Sequence, residues 1–315
     1  MTNDDLKIIG NIGAGTMGHA TALQFAMHGY PVHLLDQSDA ALAAGMAAIE
    51  QDLATFADAG LLTDSIATIM SRITPTTDYA AALSDVDFII ESVAENLQVK
   101  QSVWRRVESI VGTAVTMATN TSGLSPTAIQ SVLKRPERFV VAHFWNPAQL
   151  MPLVEVVPGE QTETATVTTT VALMRAIGKH PVALKKASLG FVGNRIQLAV
   201  LREALHIVAE GIASPAAVDE VVQTSLGRRW GLVGPIASAD LGGLDIFDHI
   251  SQYLYADLAN ETTGDATLAK KVAAGDLGLK SGQGFYDWSG TAGQDLVKHR
   301  DAELLALLQH DRSSD

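Results

Sequence analysis

The sequence predicts an α/β protein, with a doubly wound, mostly parallel sheet followed by a smaller all-α domain. In the first part of the chain, short apolar runs alternate with helical patterns, which is typical of parallel strands joined by crossover helices. After Gly190 only helical patterns follow. We place the boundary so that residues 1–187 form the sheet domain and residues 188–315 form the helical domain.

Six apolar runs predict the main strands, and residues 182–184 predict a further short one. The six runs are residues 7–12, 32–35, 88–90, 114–118, 139–142 and 153–157. In the second part, residues 195–211 predict one long helix, and Ser214 before Pro215 marks the start of another. Helical patterns continue around residues 235–258 and 294–309.

The composition is that of a soluble globular protein, with 47% hydrophobic and 18% charged residues in a chain of 315. A formal net charge of −13 argues against binding to nucleic acid or to an anionic membrane. The chain has no cysteine, which excludes disulfides and thiolate ligands, and its histidines show no metal-binding spacing. The polar, acidic start and the absence of a long apolar run predict a cytoplasmic protein.

The first predicted strand runs directly into a G-x-G-x-x-G sequence, which is typical of a Rossmann-type dinucleotide-binding turn. Gly13 permits the tight turn, Gly15 lets the backbone approach a pyrophosphate, and Gly18 lets helix and strand pack closely. At the end of the second strand, a carboxylate is placed to bind ribose hydroxyls and to repel a 2′-phosphate, which favours NAD over NADP. We therefore expect NAD to contact Gly13, Ala14, Gly15, Thr16, Met17, Gly18 and Asp36.

A histidine and a carboxylate follow each other on neighbouring predicted strands. His143 ends one apolar strand, and Glu155 lies inside the next. Burial of a carboxylate costs free energy unless a donor meets it, and His143 is the nearest candidate if the chain doubles back through residues 146–152. A histidine held by a carboxylate is the usual form of a general base. A structural histidine and a solvated glutamate remain the alternative.

Two further polar residues lie where substrate groups are expected. Ser122 follows a predicted strand, and open α/β sheets bind ligands beyond the carboxyl ends of their strands. Ser122 is therefore a candidate for orienting a substrate oxygen. Asn194 lies at the start of the first helix of the second domain, where a plain helix N-cap is the alternative.

Taken together, these motifs resemble the 3-hydroxyacyl-CoA dehydrogenase family over nearly the whole chain. The matching stretches, in order, are GAGTMG (13–18), ESVAEN (91–96), NTS (120–122), HFWNP (143–147), LVEV (153–156), GFVGNR (190–195), GP (234–235) and KSGQGFY (280–286). The resemblance implies an NAD-dependent enzyme of fatty acid metabolism that reversibly oxidises the 3-hydroxyl of a 3-hydroxyacyl-CoA. It also implies a homodimer.

The resemblance assigns roles to the candidate residues. It implies that His143 is the general base and that Glu155 fixes its tautomer and stabilises the imidazolium form. Ser122 and Asn194 then hydrogen-bond the reacting oxygen or the neighbouring carbonyl. Four further positions match residues that contact NAD in the family, namely Glu95, Lys100, Asn146 and Lys280.

The chain departs from the acyl-CoA members in a region that carries basic residues for the CoA phosphates in those members. No Lys or Arg occurs between Ile8 and Ser71, although several acidic residues do. A multiply anionic nucleotide tail meets an unfavourable field there unless Arg72 or more distant bases compensate.

A second departure is the arginine pair Arg228 and Arg229, in a stretch that is shorter and lacks this pair in typical acyl-CoA members. The longer form resembles lambda-crystallin/L-gulonate 3-dehydrogenase and carnitine dehydrogenase, which act on free carboxylates. Arg229 is thus a candidate to pair with a carboxylate, and the alternative substrate is a free 3-hydroxy acid or related small carboxylate. Capping of a helix C-terminus by the two arginines remains open, as does a non-catalytic protein that only binds NAD.

Overall fold

The computed structural model describes residues 7–314, which fold as two compact units. One unit consists of residues 7–194 together with residues 299–314, and the other is Arg195–Lys298. The end of the chain thus belongs to the first unit. The division between residues 187 and 188 stays a prediction.

The first unit contains an eight-stranded sheet in the order β3-β2-β1-β4-β5-β6-β7-β8. The strands are β1 (Ile9–Ile12), β2 (Val32–Leu35), β3 (Ile73–Thr76), β4 (Phe88–Glu91), β5 (Thr116–Thr119), β6 (Phe139–Phe144), β7 (Leu153–Pro158) and β8 (His180–Ala183). All neighbouring strands pair in parallel except β6 and β7, which are antiparallel. The predicted fold class, a mostly parallel Rossmann-type sheet with a helical C-terminal domain, is confirmed.

Helices cover both faces of this sheet. In the first unit they are α1 (Thr16–Met27), α2 (Asp39–Asp58), α3 (Ile66–Met70), α4 (Tyr79–Leu83), α5 (Leu97–Glu108), α6 (Pro126–Gln130) and α7 (Thr164–Ala176), with a 3-10 turn at Pro136–Arg138. The helix α8 (Gly193–Ala209) leads into the second unit. The helices that follow are α9 (Pro215–Thr224), α10 (Leu226–Gly242), α11 (Leu244–Leu254), α12 (Ala266–Ala274) and α13 (Ala292–Ser314).

Side chains of the central strands alternate between two apolar cores. In β4, Phe88 and Ile90 join the core that includes α1 and α2, whereas Ile89 joins the opposite core with Trp104 of α5. Burial on both faces is why these strands appear in the sequence as continuous apolar runs. The leucines of α13 that pack against the first core are Leu304, Leu305 and Leu308.

Three elements differ from the sequence prediction, and one of them is the helix α12, which was not predicted. The strand β3 was missed because its sequence, ITPT, has two exposed residues and a proline, which an edge strand tolerates. The helix predicted over residues 235–258 is divided, because Gly243 adopts a φ of 94° between α10 and α11. Glycine is suited to this left-handed conformation and ends the first helix.

The strand order reverses between β1 and β4, so the crossover connections leave toward opposite faces of the sheet. This reversal creates a crevice beyond the carboxyl ends of the parallel strands. The residues that follow β1, β2, β4, β5 and β6 lie at that edge. Within the described part of the chain, no helix has both the length and the apolar character needed to cross a bilayer. The cytoplasmic location stays a prediction.

Candidate active site

The turn between β1 and α1 has room for a ligand at its middle glycine. A Cβ atom on Gly13, whose φ is 100°, would lie 2.7 Å from the Ser92 carbonyl oxygen. A Cβ on Gly18 would lie 1.9 Å from the Gly13 oxygen, whereas nothing lies within 4 Å of the Cβ position at Gly15. Because α1 begins without a side-chain cap, its first N–H groups are available to an anion. This turn fits a pyrophosphate.

Asp36 lies beside a cavity of about 300 Å³ at the same edge. Its two carboxylate oxygens accept hydrogen bonds from the backbone N–H groups of Ala14 (2.8 Å) and Gln37 (2.7 Å), and each oxygen keeps a lone pair for a further donor. Tyr79 also lines the cavity, and the guanidinium of Arg106 lies 3.6 Å from its ring centroid. Apolar walls with one carboxylate suit the adenosine half of a dinucleotide.

The antiparallel pairing of β6 and β7 brings His143 and Glu155 together, because the two residues are directly opposite in the register. The His143 Nδ1 atom lies 2.9 Å from Glu155 Oε2, and the residues are 5% and 2% exposed. The ring centroids of Trp145 and Phe191 lie 5.5 Å and 5.6 Å from the centroid of the imidazole. The structure therefore contains the predicted pair, buried and hydrogen-bonded, and does not show a solvated glutamate on a strand edge.

The other carboxylate oxygen of Glu155 binds the turn before α8. It accepts hydrogen bonds from the backbone N–H groups of Val192 (3.0 Å) and Gly193 (3.1 Å). Burial alone would raise the pKa of Glu155, but the bonds from His143 and from these two N–H groups outweigh it, so the pKa lies below its ordinary value. Glu155 is therefore a carboxylate anion that orients the imidazole.

Ser122 and Asn194 meet at the edge of the same crevice. The Asn194 side-chain amide donates to the Ser122 carbonyl at 2.9 Å. Asn194 is not the N-cap, because α8 already begins at Gly193. Glu95 accepts hydrogen bonds from the Ser122 backbone N–H (2.9 Å) and hydroxyl (3.2 Å), and from the Thr121 hydroxyl (2.6 Å). Burial would raise the pKa of Glu95, but these donors and the nearby ammonium of Lys100 lower it overall.

Lys100 is buried between two carboxylates. Its Nζ lies 2.7 Å from Glu91 Oε1 and 3.5 Å from Glu95 Oε2. Glu91 ends β4 and also accepts from the Thr119 hydroxyl (2.6 Å) and the Trp104 indole N–H (3.2 Å). Glu91 was not among the predicted site residues, although a carboxylate at the end of an apolar strand indicates a buried, hydrogen-bonded charge. The NAD contact of Lys100 stays a prediction.

The other predicted residues lie at exposed positions. Asn146 follows β6 and precedes a cis peptide bond to Pro147. Lys280 and Arg229 belong to the second unit, and both are exposed. Arg229 lies in the first turn of α10, directly after the end of α9, so capping of a helix C-terminus by the arginine pair stays an alternative. Among the described residues, no group of three or more His, Asp or Glu side chains is arranged to hold a metal.

Arg72 is already engaged within the first unit. Its guanidinium pairs with Asp64 and donates to the Ala26 carbonyl at 2.8 Å. The positive charge of Arg72 is therefore neutralised by Asp64 and does not offset the acidic residues that precede it in the sequence.

The fold and the crevice define an NAD-dependent dehydrogenase. Residues 8–187 match the family model of the 3-hydroxyacyl-CoA dehydrogenase NAD-binding domain, and residues 190–288 match that of the 3-hydroxyacyl-CoA dehydrogenase C-terminal domain. The chain belongs to the 3-hydroxyacyl-CoA dehydrogenase family, and its activity is of the type that this family catalyses.

Individual relatives differ in their substrates. The 5-formyl-3-hydroxy-2-methylpyridine 4-carboxylate 5-dehydrogenase of Mesorhizobium japonicum is 34% identical over 304 residues, which cover 96% of this chain and 97% of the relative. A crystal structure of an enzyme with this activity, described as an NAD⁺-dependent dismutase, is similar with a TM-score of 0.90 at 34% identity, covering 96% of this chain and 97% of that one. The (S)-3-hydroxybutyryl-CoA dehydrogenase of Ralstonia eutropha is 37% identical, with a TM-score of 0.76 and coverage of 91% and 100%.

Replacement of Glu155 by Gln tests the buried carboxylate. The Glu155→Gln variant is expected to lose about 1.5–3 kcal/mol of unfolding free energy near neutral pH, the usual value of hydrogen bonds to a charged group. Because folding lowers the pKa of Glu155, the wild-type advantage is complete above the ordinary carboxyl pKa and disappears as pH falls through the lowered pKa. Urea unfolding of both proteins across this acid range measures the difference. A gap that stays constant down to strongly acidic pH contradicts the assignment.

Proposed function

We propose that His143 is the general base that removes the proton from a substrate hydroxyl. The observation that carries this proposal is the buried 2.9 Å bond from His143 to Glu155 beside the crevice. When Nδ1–H donates to Glu155, the neutral ring keeps its free lone pair on Nε2, which is the tautomer able to accept a proton. The adjacent carboxylate then stabilises the imidazolium that forms.

Ser122 and Asn194 are proposed to hold the oxygen on which charge changes. The Ser122 hydroxyl lies 3.2 Å from Glu95, which also accepts from the Thr121 hydroxyl and the Ser122 backbone N–H, so the hydroxyl can turn and donate its proton to the substrate oxygen instead. The Asn194 amide uses one N–H on the Ser122 carbonyl and has a second to donate. Two such donors stabilise the negative charge that develops on the substrate oxygen as its proton leaves.

The residues around the glycine turn and Asp36 fit NAD. We propose that the N–H groups at the start of α1 hold its pyrophosphate, that Asp36 holds the ribose, and that Glu95, Asn146 and Lys280 make further contacts. When bound, NAD accepts the hydride that leaves the substrate carbon. The chain contributes the positioning of the hydroxyl and the acceptor for its proton.

Replacement of His143 by Gln tests the base. The His143→Gln variant is expected to lose kcat by about 10²–10⁴-fold, the usual contribution of a general base. Because His143 is separate from the glycine turn, NAD affinity is expected to stay within about twofold of wild type, measured by fluorescence titration. Wild-type kcat in a folded variant overturns the proposed role.

For the substrate, we propose a 3-hydroxyacyl-CoA that is oxidised to the 3-oxoacyl-CoA. The support is the match of both family models over most of the chain and the similarity to a 3-hydroxybutyryl-CoA dehydrogenase. The product carries a carbonyl where the alcohol stood, with NADH and one proton released.

A second candidate substrate is a free 3-hydroxy acid or a related small carboxylate. Two observations favour it. Arg72, the candidate base beside the acid-rich α2 region, is held by Asp64, and the TM-score of 0.90 is to an enzyme acting on a pyridine carboxylate. Arg229, exposed on α10, is the proposed anchor for the carboxylate.

An NADH-linked assay separates the two substrates. If the substrate is a CoA thioester, acetoacetyl-CoA is expected to be reduced at its 3-oxo group while NADH is oxidised, and the loss of NADH absorbance measures this reaction. A panel of free 3-hydroxy acids with NAD tests the second candidate. In that case, the Arg229→Ala variant is expected to raise KM by about tenfold or more, the usual loss of one charge-assisted contact, while NAD affinity holds. An unchanged KM rules out the anchor.

We further propose a homodimer formed through the second unit. Among the described residues, the helices α9, α11 and α12 contain no buried residue, and α10 buries only Ser238. Large apolar side chains such as Ile236 (79% exposed) and Leu241 (77%) are left facing outward. A helical unit needs an apolar core, so a second copy is the expected cover.

Light scattering tests the dimer. The wild-type protein is expected to have about twice the chain mass of 33.3 kDa, and the double variant Ile236→Asp/Leu241→Asp is expected to shift toward the monomer. Leu307→Asp is a matched control, because Leu307 is 59% exposed but belongs to the first unit. A wild-type monomer contradicts the proposal.

A further inference from the structure

Phe191 has an unusual backbone conformation beside the candidate base. Among the described residues, it is the one non-glycine residue with a positive φ, which is 51°. A side chain in this left-handed region clashes with its own backbone, so the conformation persists only where the surroundings stabilise it. Such strain is frequent at active sites.

The phenyl ring and a short turn stabilise this conformation. The ring is 1% exposed and packs in a small apolar cluster with Val141 of β6 and Val157 of β7. The backbone N–H of Phe191 donates to the Ser188 carbonyl at 3.1 Å, and the Ser188 hydroxyl donates back to the Phe191 carbonyl at 3.2 Å. Burial of the ring therefore offsets the cost of the left-handed backbone.

The turn has three consequences for the site. The ring centroid of Phe191 lies 5.6 Å from that of His143. The next two residues, Val192 and Gly193, present their N–H groups to Glu155. The residue after them, Asn194, reaches the Ser122 carbonyl. The strained residue Phe191 therefore directly precedes, in the sequence, the three residues that make the hydrogen bonds to Glu155 and Ser122.

We infer that Phe191 is a positioning residue: its buried ring holds the left-handed turn that aligns Val192 and Gly193 with Glu155 and so fixes His143. The inference rests on the proposed role of His143 as base. When the turn relaxes, Glu155 loses two donors, and the fraction of molecules with a correctly oriented imidazole falls in proportion.

Two substitutions separate the ring from the backbone. Phe191→Ala removes the ring but keeps a Cβ that disfavours the left-handed turn, whereas Phe191→Gly removes both the ring and the conformational cost. Both variants are expected to fall below wild type in kcat. The glycine variant is expected to exceed the alanine variant by roughly 5- to 30-fold, the population change expected for one left-handed residue. KM and NAD affinity are expected to stay near wild type.

Phe56 provides the matched control. It is also 1% exposed, but it lies within the helix α2. At an ordinary helical position glycine is less favourable than alanine, so Phe56→Gly is expected to be less stable than Phe56→Ala in urea. In the same urea experiment, Phe191→Gly is expected to be more stable than Phe191→Ala, so the order of stability is opposite at positions 56 and 191 if backbone conformation matters at Phe191.

Steady-state kinetics on folded protein, checked by circular dichroism, decides the matter. A Phe191→Gly variant that is no faster than the Phe191→Ala variant, or wild-type kcat in both, overturns the inference. If neither folds, Phe191→Met decides, because it retains apolar volume: kcat within about tenfold of wild type supports the inference, and a larger loss in a folded variant overturns it. The proposed base is tested independently by the His143→Gln variant: wild-type kcat in that variant shows that His143 is not the base.

Discussion

The arrangement of the site depends on the hydrogen bonds that surround the buried carboxylate of Glu155. A buried charge is costly unless donors surround it, and here the donors come from two separate parts of the chain. His143 is the donor from the neighbouring strand, and Val192 and Gly193 are the donors from the turn before α8. Loss of any one donor leaves an under-satisfied anion in an apolar setting. The anion therefore couples the orientation of the imidazole to the position of that turn.

A second buried carboxylate surrounded by donors lies at the end of the strand β4. Glu91 is fully buried and gathers four donors, one of them the ammonium of Lys100. Lys100 in turn lies near Glu95, whose carboxylate fixes Ser122. Because Asn194 donates to Ser122, the hydrogen bonds of the two sides meet at one serine. The hydrogen bonds of Glu155 and those of Ser122 are linked through the backbone from Gly193 to Asn194. Each buried polar member must be satisfied, which favours a single well-defined arrangement.

Much of this architecture was predictable from local sequence. Apolar runs with turn residues between them predicted seven of the eight strands, and the glycine turn predicted the cofactor. His143 and Glu155 were predictable as a pair because antiparallel neighbours twelve positions apart meet across one connection. The edge strand β3 was not, because an exposed ITPT sequence carries no apolar signal.

Other features depend on contacts that the sequence does not encode locally. The role of Glu91 arises from donors on a helix and a neighbouring strand, and the positive φ of Phe191 arises from packing around its ring. The break at Gly243 depends on a backbone angle that a helical pattern does not reveal. The end of the chain joins the first unit through apolar leucines of α13, whose pattern predicts a helix but not its partner.

The charge distribution constrains the substrate more than the catalytic residues do. The base, its carboxylate and the oxygen-binding residues serve any alcohol that reaches the crevice, so they do not separate a thioester from a free acid. Discrimination must come from groups that meet the distal part of the substrate. A nucleotide tail needs cations, yet Arg72 is paired with Asp64 and the preceding helix α2 adds acidic side chains. A compact carboxylate requires only one guanidinium, and the exposed Arg229 is the residue proposed for that role.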